Sequence, residues 1–362
     1  MRVIVVGGGI GGLFCAMHLA RREHDVTVLE KGEYWGGRLY TMPAGYEAGG
    51  ARFHTGHRRL RRLLRSFRLG SIPIPGVPRL DWGQLQSLCV EPATDVTAPL
   101  PPSPALEAVQ GDLGYEGEFQ LSHAAEMHRV VCDDLTRLHY YLVDGGFSAL
   151  VAKVQKRTEK YGGKTRLKAD VTRVEEHGAG FRVHLGEEVL EADRVVLAVP
   201  PSVVAQLYPA APDLDRLIST PLFRIYATWS TPWWTDQDKQ VDPELGWIIP
   251  AGPNVLMAGY TDGDKARAWK ELQDQEGDEA LQALVMRRLQ TLFPGRCTEP
   301  PQTVTYHYWP EGVHFFRPRS DTRTDAELVQ QWTQAPVALV GEAFSTQHAW
   351  VEGALESACS AL

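Results

Sequence analysis

The sequence predicts an α/β protein, and three observations near its start carry the prediction. A short apolar, β-branched run opens the chain, a dense glycine cluster follows it, and a helical apolar face then leads to a second β-branched run ending in an acid. Arg2–Val6 has the composition of a buried parallel strand. Of the eighteen residues 3–20, five are glycine. Gly7-Gly8-Gly9-Ile10-Gly11-Gly12 contains G-x-G-x-x-G at Gly7, Gly9 and Gly12. Leu13, Ala16, Met17, Leu19 and Ala20 then trace one helical face, and Asp25–Leu29 reads as the second strand, closed by Glu30. In this context each glycine has a task. Gly7 permits a tight turn, Gly9 lets the backbone approach a pyrophosphate, and Gly12 lets the helix pack close to the strand. The helix N-terminus offers free N–H groups to a diphosphate. Glu30 lies where a carboxylate accepts hydrogen bonds from ribose hydroxyls and repels a 2′-phosphate.

Composition narrows the function classes. The chain has 362 residues, enough for two domains with sizeable cores, and 43% hydrophobic with 23% charged residues fits a globular protein. A net charge of −8 argues against a nucleic-acid partner. Cys15, Cys89, Cys132, Cys297 and Cys359 are widely spaced and odd in number, with no CxxC or Cys/His cluster. Neither a disulfide framework nor a metal site is therefore expected, and a reducing compartment is favoured. The glycines of residues 1–20 make a poor signal-peptide core, and no apolar run of about 18 residues suggests a membrane anchor. A cytoplasmic location is the expectation.

Two further glycine-plus-arginine loops follow the acid: Lys31-Gly32-Glu33-Tyr34-Trp35-Gly36-Gly37-Arg38-Leu39 and Tyr46-Glu47-Ala48-Gly49-Gly50-Ala51-Arg52-Phe53. They suggest a cofactor with a longer body than a pyrophosphate. "VLEKGEYWGGRLYT" followed by "YEAGGARFH" resembles the flavin-containing amine oxidases, which include monoamine oxidases, polyamine oxidases and L-amino-acid oxidases. The likeness extends to short viral or microbial members. It recurs in order along most of the chain, in "YLVDGGFSALVAKV", "LKADVTRVEEHGAGFRVHL", "ADRVVLAVPPSVV", "PLFRIYATWSTPWW" and "VALVGEAFSTQHAWVEGALESACSAL".

The resemblance implies a Rossmann-type FAD-binding domain of the glutathione-reductase-like fold, interrupted by an α+β substrate domain. The FAD-binding parts would be residues 1–72, 145–215 and 320–362, with the substrate domain at 73–144 and 216–319. It implies non-covalent FAD held by Gly7, Gly9, Ile10, Gly11, Gly12, Glu30, Lys31, Gly37, Arg38, Gly50, Ala51, Arg52, Phe53, Val171, Gly341, Glu342, Val351 and Ala354. The helix starting near Val351 would point its N-terminus at the flavin pyrimidine ring. Val313 stands where monoamine oxidases carry their flavin-tethering cysteine.

The middle of the chain is less explicit. Residues 70–105 are proline-rich and loop-like, with a strand expected at Gln84–Val90. Residues 121–140 read as a helix, and "GYTDGDKARAWKELQDQEGDEALQALVMRRLQTLF" as a strand and tight turn followed by helices. His57–Leu69 is a basic amphipathic helix with Leu60, Leu63, Leu64 and Phe67 as its buried stripe and six arginines around them. A solvated face is favoured over nucleic-acid or membrane binding.

The implied reaction oxidises the C–N bond of a small-molecule amine. Hydride passes from the carbon beside nitrogen to flavin N5, the imine hydrolyses, and molecular oxygen or another acceptor regenerates the flavin with release of hydrogen peroxide. A single dinucleotide fingerprint fits an oxidase. Three positions are candidate catalytic residues. Arg224 falls where relatives carry a lysine, and it either holds a water and stabilises reduced flavin or makes a structural ion pair. Trp350 matches one wall of the substrate cage. The second wall falls within one or two residues of His314, which is otherwise a hydrogen-bonded core histidine. Competing readings are a C–C desaturase of the protoporphyrinogen oxidase or phytoene desaturase kind, and a non-redox FAD-binding protein.

Overall fold

In the computed structural model, residues 1–74, 89, 93–115, 117–135, 139–236, 238–320 and 323–362 are described. The opening run forms β1 (Arg2–Val6), the central strand of a five-stranded parallel sheet. β2 (Asp25–Leu29) and β6 (Lys164–Arg166) lie on one side of it, and β10 (Arg194–Leu197) and β16 (Val337–Leu339) on the other. Strand alternation divides β1 between two cores. Val3 and Val5 pack against α1 (Ile10–Arg21) and the helices Gly146–Lys160 and Val351–Ser360. Ile4 and Val6 face the opposite layer, where Val174, Val183 and Trp332 are buried. That layer contains the meander β7 (Arg173–His177), β8 (Gly180–Leu185) and β9 (Glu188–Ala192).

A second, antiparallel sheet has the order β12–β13–β14–β11–β15, formed by β11 (Leu217–Thr228), β12 (Gln240–Asp242), β13 (Gly246–Gly252), β14 (Val255–Asp262) and β15 (Thr303–Phe316). The alternation of β11 sends Phe223, Ile225 and Ala227 into a core with Trp269, Leu281, Val285 and Leu289 of the long helix Gly263–Leu292. Gly277, at φ 83°, breaks that helix into two segments. Leu222, Arg224 and Tyr226 therefore belong to the other face of β11. A third sheet pairs β3 (Phe53–His54) with β5 (Tyr140–Val143), and β5 with β4 (Ser71–Pro73). Between β3 and β4 runs α2 (Arg58–Ser66), which buries the expected Leu60, Leu63 and Leu64 and leaves its arginines outward.

Two expectations need correction. Cys89 and Cys132, 43 residues apart in sequence, form a disulfide with Cα atoms 5.6 Å apart. Separation along the chain hid a pair that folding brings together, so cysteine usage no longer favours a reducing compartment. The expected helix over 121–140 is instead a short α-helix, Ala124–His128, continued by a π-helical turn, Arg129–Leu135, which contains Cys132. Of the strand expected at Gln84–Val90, all but Cys89 lies outside the described residues. Among the described residues, no helix is long and apolar enough to cross a membrane.

Candidate active site

The parallel sheet and the face of β11 that carries Arg224 enclose one elongated cavity of about 910 Å³. This is near the upper end of the range for small-molecule sites, as an extended ligand requires. Its first end is built by the glycine loop. Gly7 takes φ 104° and its N–H donates to the Leu29 carbonyl at 2.8 Å. A Cβ at Gly7 would strike the Ala198 carbonyl, and one at Gly12 would strike the Gly7 carbonyl. Gly9 differs, because a Cβ there would meet no protein atom within 4 Å. It faces the cavity itself, as does the uncapped start of α1. The open space beside Gly9 and the free N–H groups behind it form a cradle suited to a diphosphate.

Glu30 lines the same end and accepts from Gly8 N–H and Gly32 N–H, each at 2.7 Å. It thus shapes two loops while keeping lone pairs for a further donor. Ile10, Gly11, Lys31, Gly37, Arg38, Gly50 and Val171 continue the wall. Arg38 crosses toward β15, where its Nη1 donates to the Gly312 carbonyl at 2.7 Å and to Glu342 Oε2 at 2.9 Å.

Glu342 is buried at the middle of the cavity and is fully engaged. Its Oε1 accepts from His314 N–H at 3.0 Å and Ala349 N–H at 2.8 Å, while its Oε2 accepts from His314 Nδ1 at 2.8 Å and from Arg38. Burial works to raise its pKa, but the His314 ring and the Arg38 guanidinium outweigh that and hold it far below the usual carboxylate range. Gly341 precedes it at φ 149° and lines the cavity with it. The chain then reaches Trp350, the extended N-cap of the helix Val351–Ser360, which has no side-chain cap. Trp350, Val351 and Ala354 all line the cavity, so the first N–H groups of that helix sit at its wall.

The far end of the wall is Leu222 and Arg224 of β11, Tyr260 of β14, and Trp309 and Val313 of β15. Behind Trp350 stand His57, His54 and Tyr140, with ring centroids 4.8, 5.2 and 6.3 Å away.

Most of the residues expected from sequence therefore converge on one cavity, and four do not. Ala51, Arg52 and Phe53 are absent from its wall. Phe53 is in β3, where pairing with β5 buries it in the core, and Arg52 packs against Tyr140 one layer back. His314 is not a cage wall. Its ring is fully buried and turned toward Glu342, so the alternative of a hydrogen-bonded core histidine holds. Tyr260 and Trp309 also line the cavity and are not among the site residues expected from the sequence. The pairing of Arg224 with Tyr260 across β11 and β14 brings the first to the site, and only the strand register could have disclosed it. Among the described residues, no group of three or more His, Cys, Asp or Glu side chains is placed to hold a metal ion.

Comparisons with known proteins agree with this geometry. Residues 101–361 match the family described as flavin containing amine oxidoreductase, and residues 5–67 match a NAD(P)-binding Rossmann-like domain. A Mycobacterium tuberculosis protein with the provisional name flavin-containing monoamine oxidase AofH is 26% identical over 399 residues, covering 88% of this chain and 85% of its own. The structure of cyclohexylamine oxidase from Brevibacterium oxydans superposes with a TM-score of 0.75 at 18% identity, covering 99% of this chain and 96% of that one, which is a likeness of fold. A shorter match, 40% identical over 55 residues, is to 1-hydroxycarotenoid 3,4-desaturase of a Flavobacterium, covering 15% of this chain and 10% of that protein. With a matching family model over most of its length and a glycine cradle leading into a long cavity, the chain belongs to the flavin-containing amine oxidoreductases, and its cofactor is FAD.

Proposed function

We propose that this enzyme oxidises the C–N bond of a small amine, giving an imine that hydrolyses to a carbonyl product. The observation that carries this reading is the continuity of the cavity, from the Gly9 cradle at one end to Trp350, Tyr260 and Arg224 at the other. FAD, when bound, accepts the hydride and is regenerated by oxygen, with release of hydrogen peroxide. The chain's own residues supply position and charge. Gly9 and the start of α1 would hold the diphosphate, and Glu30 would hold the ribose. Arg38, held by Glu342, would lie along the middle of the cofactor, and the N-terminus of the helix Val351–Ser360 would favour negative charge at the ring end. Trp350 and Tyr260 provide aromatic surface for the substrate. Arg224 keeps its proton, so it can orient a water but cannot serve as a base.

Covalent attachment of FAD needs a nucleophilic side chain at the cavity, and among the described residues no cysteine or histidine lines it. Val313 occupies the wall where monoamine oxidases have their tether. Acid precipitation should therefore release all of the yellow chromophore into the supernatant, whereas colour retained in the pellet would contradict this.

The test of function is anaerobic. Primary amines, polyamines and amino acids are added in turn to the purified flavoprotein. Bleaching of the flavin band by one of them, followed by peroxide on admission of air, is the expected result. The match to a carotenoid desaturase supports a second reading, oxidation of a C–C bond. A flavin that no amine bleaches but a polyene precursor does would favour it.

A further inference from the structure

The outer face of α2 carries an unbalanced charge. Arg58, Arg59, Arg61, Arg62, Arg65 and Arg68 are all exposed, and no acid occurs between His57 and Leu69. A solvated helix face is ordinarily laced with ion pairs of both signs. Among the described residues, Arg59 alone of the six has a carboxylate partner, Glu352 at 3.4 Å, and Arg61 donates to the Thr55 carbonyl at 2.9 Å. The side chains of Arg58, Arg62, Arg65 and Arg68 make no ion pair or hydrogen bond among the described residues.

This arrangement works against the helix that carries it. Arg58 and Arg62, and Arg61 and Arg65, are like charges at i, i+4 spacing. The first turn, where acids are favourable, has none and opens with two arginines. α2 ends in a left-handed turn, with Arg68 N–H donating to the Arg65 carbonyl and Leu69 N–H to the Leu64 carbonyl, each at 3.0 Å. Arg68 stands in that turn at φ 55°, where glycine or asparagine is the usual occupant. Local stability therefore does not account for these arginines.

The basic face continues beyond α2 and borders an apolar one. The Arg157 guanidinium lies 5.0 Å from the ring centroid of Phe67 at the end of α2, and exposed Lys153 and Lys160 extend its stripe along the helix Gly146–Lys160. Four residues after Arg68, Ile72 of β4 stands opposite Leu142 of β5. The pleat sends the next residue, Val143, into the core and leaves Ile72 and Leu142 47% and 36% exposed. Guanidinium forks match phosphate oxygens. A nucleic acid offers nothing to an aliphatic pair beside them, whereas a lipid surface presents phosphates and an acyl boundary together.

We propose that α2, with Ile72 and Leu142 at its border, is a docking face for an anionic phospholipid bilayer, on which the protein rests without spanning it. The purified flavoprotein is sedimented with vesicles of phosphatidylcholine, alone or with about 30 mol% phosphatidylserine. Binding is expected to the phosphatidylserine vesicles only, and it should fall steeply as salt rises to about 0.5 M. Arg58→Gln, Arg62→Gln and Arg65→Gln combined should weaken it roughly a hundredfold, at about fivefold for each charge near the surface. The three matching lysine substitutions keep the charge and should stay within about tenfold of the native protein, which separates loss of charge from loss of fold. Ile72→Ser with Leu142→Ser should weaken binding about tenfold. Protein that stays in the supernatant, binds neutral vesicles equally well, or ignores the glutamine substitutions would overturn the proposal. So would displacement from the vesicles by duplex DNA or by polyglutamate at equal charge concentration, which would make α2 a nucleic-acid or an acidic-protein face instead.

Discussion

Replacing Glu342 with glutamine tests how the middle of the site is held. The carboxylate accepts two donors on each oxygen, His314 N–H and Ala349 N–H on Oε1, and Arg38 and His314 Nδ1 on Oε2. An amide of the same shape has one acceptor oxygen and one donor nitrogen. Either orientation turns its NH2 toward two donors and removes the charge that Arg38 faces. Breaking a buried, hydrogen-bonded ion pair costs about 3–5 kcal/mol, a large share of the roughly 5–15 kcal/mol that stabilises a typical domain. Glu342→Gln should therefore lower the urea midpoint by an amount equivalent to about 3–5 kcal/mol, with less flavin retained on purification. The native protein should also show an acid dependence. Because the folded pKa of Glu342 is depressed, its contribution is present above the ordinary value of 4.5 and is lost as pH falls toward the folded value. The variant should lack that part of the acid slope. A variant whose stability lies within about 1 kcal/mol of the native protein would refute the reasoning.

Gly9 and Gly12 should part company when each becomes alanine. Gly12→Ala drives a Cβ into the Gly7 carbonyl and should cost about 1–3 kcal/mol of stability by denaturation. Gly9→Ala, at φ −65° with nothing within 4 Å, should fold within about 1 kcal/mol of the native protein yet bind FAD poorly on reconstitution. Equal stability losses would contradict the assignment. Glu352, buried and far from α2 in sequence, accepts from Arg59 N–H and Leu60 N–H at 2.9 Å each and so caps that helix. Glu352→Ala should cost about 1–2 kcal/mol, and an unchanged melting curve would show that the cap contributes nothing. His307 pairs with Arg224 across β11 and β15, and burial first, then the Arg224 charge, lowers its pKa from 6.5 to about 4. Between those pH values the unfolded chain takes up a proton that the folded chain refuses, so stability should fall as pH drops from 6.5 toward 4. His307→Phe should flatten that part of the profile in pH-dependent unfolding.

The legible parts of the molecule are those in which cause and consequence lie close together in sequence. The strand, glycine turn, helix and acid of residues 2–30 are contiguous, and the tight contact of Gly12 with the Gly7 carbonyl lies within that segment. The side of β11 that carries Arg224 is legible too, since Phe223 and Ile225 flank it and two-residue alternation does the rest. Partners brought in from far along the chain were not. The Glu352 cap on α2 spans a separation of 293 residues at Arg59, and nothing local to either segment announces it. The same holds for Cys89 and Cys132, whose flanking residues contain no pairing motif.

His314 shows how a motif can be nearly right and chemically misplaced. Along β15 the register against β11 runs Tyr308 to Phe223 and Trp309 to Leu222, and then resumes with Val313 opposite Thr220. Three residues of β15 thus face one of β11, an irregularity that resets which side chains face the cavity. Beyond it Val313 points into the site, and pleating turns His314 to the other side, where Glu342 receives its ring. A shift of one residue exchanges a place on the cavity wall for a hydrogen bond to the buried Glu342. The aromatic side chains that line this end of the cavity are Trp309 of β15 and Tyr260 of β14, the latter opposite Arg224, so which side chains face the cavity is decided by register rather than by the motif.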